Sequence, residues 1–301
     1  MQLQDYQSQI RELVHDIAKV DWTDTELTTF VNNARKRVAL DAHCVRTFVA
    51  GLNLIQSVEQ YPFSGVVAGY TLTSPGTNYT APLVTVGVSQ GGGITATAAA
   101  AVTVSPGPIA SITPTAWGSL YTAAPSVTIA DSGGGTGSGA TATPIMLLGT
   151  LDIISATVIW PGSLMARVLK WYPFSEFQAW VRSYRGSVTY PWCYTLIQEQ
   201  GTLFIGRPPS QSYGLELDLV TLPTQQLVNA TDVDLQIIDP WADAVQWWGA
   251  YLAMVKLQNY QHAGYFERAY EKRLKQVLAT KQTRRVRDIY LSTFRRQMRG
   301  G

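Results

Sequence analysis

The chain has 301 residues, of which 46% are apolar and 15% charged, enough for two or three domains with filled cores and too apolar for disorder throughout. A net charge of +2 hides an asymmetry: residues 264–301 hold eleven basic side chains against Glu267, Glu271 and Asp288, and this end favours an acidic partner or surface. Cys44 and Cys193 lie far apart and no secretory signal opens the sequence, so no disulfide framework is expected and a reducing compartment fits.

Ile10, Leu13, Val14 and Ile17 recur at the spacing that places them on one helix face. A second helix is predicted after Thr23. Thr23 and Glu26 form a T-x-x-E capping box, and Trp22 and Leu27 stand where a hydrophobic staple packs. Leu27, Phe30, Val31, Ala34 and Val38 continue its apolar stripe, with Arg35, Lys36 and Arg37 expected on a face that is solvated or meets a neighbouring subunit.

From Thr47 to Phe63 the pattern is β-like and then breaks off. Between Tyr61 and Thr150 the only charged side chain is Asp131, and within that stretch a unit of about 42 residues occurs twice. Val67, Thr71, Thr73, Gly76, Tyr79 and Thr80 reappear as Ile109, Thr113, Thr115, Gly118, Tyr121 and Thr122, and Pro82, Val84, Thr85 and Val86 as Pro125, Val127, Thr128 and Ile129. Each copy closes on a triple glycine and an alternating Thr/Ala run, which predicts two stacked copies of one supersecondary unit sharing a core.

The most apolar run, Pro144 to Trp160, contains Asp152 and many β-branched residues, so it reads as buried strands and no membrane span is expected. Leu151 to Ile159 is a predicted strand, Ser175 a predicted cap for a short helix through Val181, and Tyr194 to Ile205 a hairpin around Glu199-Gln200-Gly201. Leu215, Leu217 and Leu219 alternate with Glu216, Asp218 and Val220, the pattern of a half-exposed strand. Asp239-Pro240 supplies an N-cap and an N1 proline. Trp241, Val245, Trp248 and Leu252 follow at helical spacing as ring or packing residues, with Gly249, Ala250 and Ala253 allowing close approach. A last helix is predicted from Gly264 to Ala279. Beyond it Ile289, Tyr290 and Phe294 share a face among Arg284, Arg285, Arg287, Arg295 and Arg296, an amphipathic docking segment whose alternatives are duplex DNA or plain solvation.

Catalytic and cofactor signatures are missing. Gly135 to Ala140 matches G-x-G-x-x-A but leads into Thr/Ala alternation instead of a helix; His15, His43 and His262 have no metal-ligand spacing; no G-x-S-x-G elbow occurs. The expectation is a protein without catalytic residues, metal or cofactor. Tyr79, Trp117 and Tyr121 recur near the glycine turn of each copy, where exposed rings would stack on sugars and buried rings would fill a core short of large side chains.

The two N-terminal helices, the stretch Leu203-Phe204-Ile205-Gly206-Arg207-Pro208-Pro209, the alternating strand to Leu222-Pro223 and the helix after Asp239-Pro240-Trp241-Ala242-Asp243-Ala244 together resemble head-to-tail adaptor (connector) proteins of tailed bacteriophages. Tyr79-Thr80-Ala81-Pro82 and Tyr121-Thr122-Ala123-Ala124-Pro125, ahead of Val-Thr-Val/Ile and glycines, resemble a repeat of phage virion proteins. The resemblance implies a virion structural protein of the neck or tail, assembled in the host cytoplasm. It implies a ring of about twelve copies that joins the portal protein to a tail or nozzle protein and passes genomic DNA without sequence specificity. It also implies that the C-terminal segment docks on the portal. The expected architecture is α+β: a discontinuous adaptor domain of bundled helices with a small β portion (1–63 and 145–280), an inserted all-β repeat module (64–144) and a basic extension (281–301). The module is expected on the outer rim; the competing expectation is a binding protein whose repeats recognise a host-surface glycan or a tail fibre.

Overall fold

The computed structural model describes residues 1–132, 135–162, 165–181 and 188–283, with backbone alone at 180 and 280–283. Its helices are α1 (Leu3–Val14), α2 (Asp24–Ala42), α3 (Phe174–Trp180), α4 (Ala242–Lys256) and α5 (Tyr260–Thr283). Its strands are β1 (Arg46–Asn53), β2 (Gln60–Pro62), β3 (Val66–Thr77), β4 (Pro82–Val86), β5 (Thr97–Val102), β6 (Ile109–Ala116), β7 (Val127–Asp131), β8 (Ser138–Leu147), β9 (Thr150–Ile159), β10 (Ala166–Val168), β11 (Lys170–Trp171), β12 (Cys193–Ile197), β13 (Thr202–Gly206) and β14 (Gly214–Thr221). They fall into two units, Met1–Val45 with Gln225–Gly301, and Arg46–Thr224.

In the first unit α1 stops at His15, which takes a left-handed conformation (φ 60). The chain then wraps around the Asp16 carboxylate, which accepts the N–H groups of Val20, Asp21 and Trp22 and a 2.7 Å bond from Arg11. Ile17, expected on the helix face, therefore lies beyond the helix end and is exposed. The α2 capping box forms as its spacing dictates: Thr23 Oγ1 accepts the Glu26 N–H and the Glu26 carboxylate accepts the Thr23 N–H. Lys256 ion-pairs with that carboxylate, and this bond, ahead of the two from Thr23, holds its pKa down to about 2.

Arg35 is not on a solvated face; it is 1% exposed. Its Nε and Nη2 donate to the two oxygens of Asp234 at 2.7 and 2.8 Å, and Nη1 donates to the Gln225 carbonyl at 2.7 Å. Asp234 in turn accepts the Gln236 and Ile237 N–H groups and the Tyr6 hydroxyl. Asn32, one turn back on α2, exchanges two bonds with the backbone of Leu227. The irregular chain from Gln225 to Ile238 is thus tied to α2, and its Ala230 and Asp232 carbonyls accept the Gln4 and Leu3 N–H groups that the start of α1 leaves unpaired.

The helix α4 begins after Trp241, two residues later than the Asp-Pro signal implied, because the Trp241 N–H bonds to the Ile238 carbonyl and places Asp239 in the preceding turn. Gly249, Ala250 and Ala253 are buried, and a Cβ on Gly249 would lie 2.4 Å from Ile10 Cδ1, so the glycine lets α1 approach. On α5, Ala263, Phe266, Tyr270 and Val277 form the buried stripe.

In the second unit a six-stranded sheet, β10-β9-β14-β1-β3-β8, packs with a four-stranded sheet, β11-β12-β13-β2, over a core that includes Leu52, Tyr61, Phe63, Val158, Tyr194, Leu203, Leu215 and Leu217. β14 lies between β9 and β1, and its register shifts between Asp218 and Leu219. Val220, predicted to face solvent, is buried behind that bulge. The hairpin β12–β13 turns through Gln198–Gln200 and Gly201 (φ 58). α3 starts after Pro173, with no side-chain cap from Ser175.

The repeated stretch pairs across its copies. β3, β4 and β5 belong to the first copy and β6, β7 and β8 to the second, yet β3 pairs with β8, β4 with β7 and β5 with β6, all antiparallel. Matching bonds recur at matching places. The Tyr121 hydroxyl accepts the Ala96 N–H at 2.8 Å and donates to the Gly87 carbonyl, while the Tyr79 hydroxyl accepts the Ala140 N–H at 3.3 Å. Hydroxyl pairs Thr73–Thr141 and Thr97–Thr115 lie 2.7 and 2.6 Å apart. Gly76 (φ +61) and Gly118 (φ +69) sit where a Cβ would meet the Ala140 and Ala96 nitrogens at 2.6 and 2.7 Å. Asp131 closes the far end, accepting from Thr80, Ala81 and Gly137.

Because β3 also joins β1 at Leu52↔Gly69, this stretch continues the six-stranded sheet. Residues 46–63 and 145–224, expected to share a body with the helices, therefore lie in one unit with 64–144.

Arg35→Met should destabilise the protein by about 3–5 kcal/mol in urea titrations by leaving Asp234 buried and unpaired, and pairing it with Asp234→Leu should recover much of the loss. Tyr121→Phe leaves the buried Ala96 N–H without its acceptor and should cost about 1–3 kcal/mol, with amide exchange accelerated in β5 and β6. Glu26 ordinarily titrates near about 4.3. Its depressed value makes the stabilisation complete above that pH and lost as pH falls toward about 2. The gap in urea midpoint between the native chain and Glu26→Gln should therefore be widest at neutral pH and close in acid.

Candidate functional site

Among the described residues no group of three or more His, Cys, Asp and Glu side chains is arranged to hold a metal. His15 and His43 end α1 and α2 in left-handed conformations, and His262 is bonded to Asn259. Cys44 and Cys193 form no disulfide, and burial pushes the Cys193 thiol up to about 12, which marks it as a packing residue.

The predicted helix residues Trp241 and Val245 are buried inside the first unit, and Leu252 is half-buried. The Trp248 ring lies 4.6 Å from Tyr251 and 5.0 Å from Tyr270, with the Arg37 guanidinium 5.1 Å from its centre. Arg37 and the Tyr270 hydroxyl both donate to Asp41. Trp248 therefore ties α4 to α2 and α5 of its own chain. Lys256 extends the same logic at the other end of α4, where its ammonium lies 5.5 Å from the Trp22 ring centre.

The three rings for which sugar stacking and core filling were both open are all covered: Tyr79, Trp117 and Tyr121 are 1%, 3% and 2% exposed. Tyr79 and Tyr121 fill the core between the repeats, where their hydroxyls are needed as backbone partners. Trp117 serves the neighbouring sandwich core instead, 4.7 Å from Tyr61 and donating to the Asn53 carbonyl. No ring of the three offers a face to a glycan. The residues expected to dock, Arg284, Arg285, Arg287, Ile289, Tyr290, Phe294, Arg295 and Arg296, lie outside the described residues.

Three surfaces escaped the sequence reading. The chain pinned by Arg35 turns Val228, Leu235 and Ile238 outward, each about two-thirds exposed or more. On the α4–α5 pair, Trp247, Tyr265, Arg268 and Lys272 line a groove of about 480 Å³. In the second unit, Asp152, Ile154, Trp171, Leu196 and Glu199 line a cavity of about 550 Å³. Its electrostatics are acidic: the Tyr194 phenol on its wall is pushed up to about 12, first by burial and then by the fields of Asp152 and Asp218. No local pattern marks these places, because Leu235 and Ile238 stand in a non-periodic loop. Trp171, for its part, reaches its parallel partner β12 only across some twenty residues.

No curated protein matches the chain. A family model described as SU10 adaptor protein matches residues 1–297. Its span takes in the helices of the first unit, the whole of the second and nearly all of the basic C-terminal segment, and the chain belongs to the SU10 adaptor protein family, as a phage adaptor and a structural component of the virion.

Proposed function

We propose that this adaptor is the subunit of a ring of about twelve copies that connects the portal to the tail and continues the channel through which DNA passes, without sequence-specific contacts. The observation that carries this reading is the family match along residues 1–297. The first unit is the ring-forming part on this reading, a helical host into which the β-rich stretch is inserted. The outward Val228, Leu235 and Ile238 supply apolar contact to a second copy, since a loop held by a buried ion pair presents them without an ordering cost at assembly. Stable interfaces of this type bury about 1,200–2,000 Å² or more, of which these side chains would form the centre.

The segment that follows α5, from Arg284 to Phe294 and on through Arg296, docks on the portal on this reading, its arginines meeting acidic groups and Ile289, Tyr290 and Phe294 filling apolar sites. The repeats stand on the outer rim, clear of the channel. Their exposed Leu83, Val88, Ile94, Val104 and Leu120 favour a protein partner there, a tail, nozzle or fibre component, over a glycan. Assembly takes place in the host cytoplasm, and no helix among the described residues is long and apolar enough to cross a membrane.

Sedimentation of the purified protein with assembled portal rings tests the reading. The full chain should co-sediment as a ring-sized complex, and truncation after Thr283 should abolish co-sedimentation while leaving the circular dichroism spectrum close to native. A monomer indifferent to the portal overturns it.

A further inference from the structure

The cavity in the second unit has the chemistry of a guanidinium receptor. Asp152 stands on β9 and Glu199 in the turn after β12, and neither carboxylate forms an ion pair among the described residues. One Asp152 oxygen accepts the Ile153 N–H at 2.8 Å, and the other has no hydrogen-bond partner among the described residues. Trp171 lines the same cavity, 54% exposed, with no ring stacked on it among those residues. Ile154 and Leu196 complete apolar walls. A flat cation that stacks on an indole while its N–H fork meets carboxylates satisfies every one of these groups, and arginine does so better than lysine.

We infer that this cavity seats arginines of the segment 284–301 from a second copy of the chain. The segment carries Arg284, Arg285, Arg287, Arg295, Arg296 and Arg299 against a single acid, Asp288, so its charge complements the cavity. Val286 and Ile289 interleave the first arginines and match the Ile154 and Leu196 walls. Eighteen residues follow Thr283, an extended reach of about 60 Å, enough to cross to an adjoining molecule. The inference rests on the ring reading in placing a second copy within that reach; the portal takes no part in it, and the portal and the cavity are alternative seats for one segment.

Photo-cross-linking of the full chain, with p-benzoylphenylalanine in place of the exposed Gln198 on the cavity rim, tests this in an equal mixture of ¹⁴N- and ¹⁵N-labelled protein. The expected product joins position 198 of one isotope to residues 284–301 of the other. Its yield should fall at least about five-fold in the double variant Asp152→Asn, Glu199→Gln, and fall likewise in high salt, as expected of partly exposed charge pairs acting together. Both substitutions are nearly isosteric, and Asp152→Asn keeps an acceptor for the Ile153 N–H, so a folded variant is expected by circular dichroism. Cross-links confined to single chains overturn the second-copy occupant. Cross-links to other segments, or a yield that the double variant leaves unchanged, overturn the cavity. A ring-sized particle without the cross-link overturns this inference alone, whereas a monomer without it overturns the ring reading as well.

Discussion

The ion pair between Arg35 and Asp234 is the constraint on which the helical unit depends. An arginine buried to 1% on α2 would be strongly unfavourable alone, and so would a carboxylate 199 residues away. Together they satisfy each other bidentately, and the leftover hydrogen-bonding capacity goes to backbone: Gln225 on one side, Gln236 and Ile237 on the other. A stretch with no helix or strand of its own thereby acquires a fixed course. That course caps α1 through the Ala230 and Asp232 carbonyls and sets the position from which α4 departs after Trp241. Apolar burial drives the four helices together, but this polar contact decides how the returning chain meets them.

A different device organises the β-rich unit. Its two sequence copies are bound to each other strand by strand, so the Tyr79 and Tyr121 hydroxyls, the threonine pairs and the left-handed Gly76 and Gly118 occur as equivalent sets. The equivalence fails where the stretch meets the sandwich. Trp117 corresponds by offset to Pro75, and of these two Trp117 joins the neighbouring core, its ring 4.7 Å from that of Tyr61 and tilted to it.

Much of this was legible in the residues. The α2 capping box, the β12–β13 hairpin and the strand at β9 followed from local signals that operate over a few positions, and the structure places each where its spacing required. What local signals do not carry is the identity of a distant partner. Arg35 read as a surface residue because its helix neighbours Lys36 and Arg37 are charged, and only a chain return near position 234 turns it inward. Ile17 fitted the helical period but lay past a terminus imposed by Asp16. Asp239-Pro240 carried the strongest start signal in the second half, yet the helix began after a further turn. The cavity around Trp171 is assembled from β9, β11 and the turn after β12, and no single segment announces it.

The crossed pairing of the repeats bears on how such a stretch can arise and be lost. A chain with one copy would find the complement of each of its strands only in another molecule, so its folding would follow the laws of association and weaken with dilution. Joining two copies in tandem replaces that dependence with a fixed effective concentration set by the short connection between β5 and β6. It also makes the duplication hard to reverse. Recombination between the copies would excise one and strand the other, so each half of the pair preserves its counterpart.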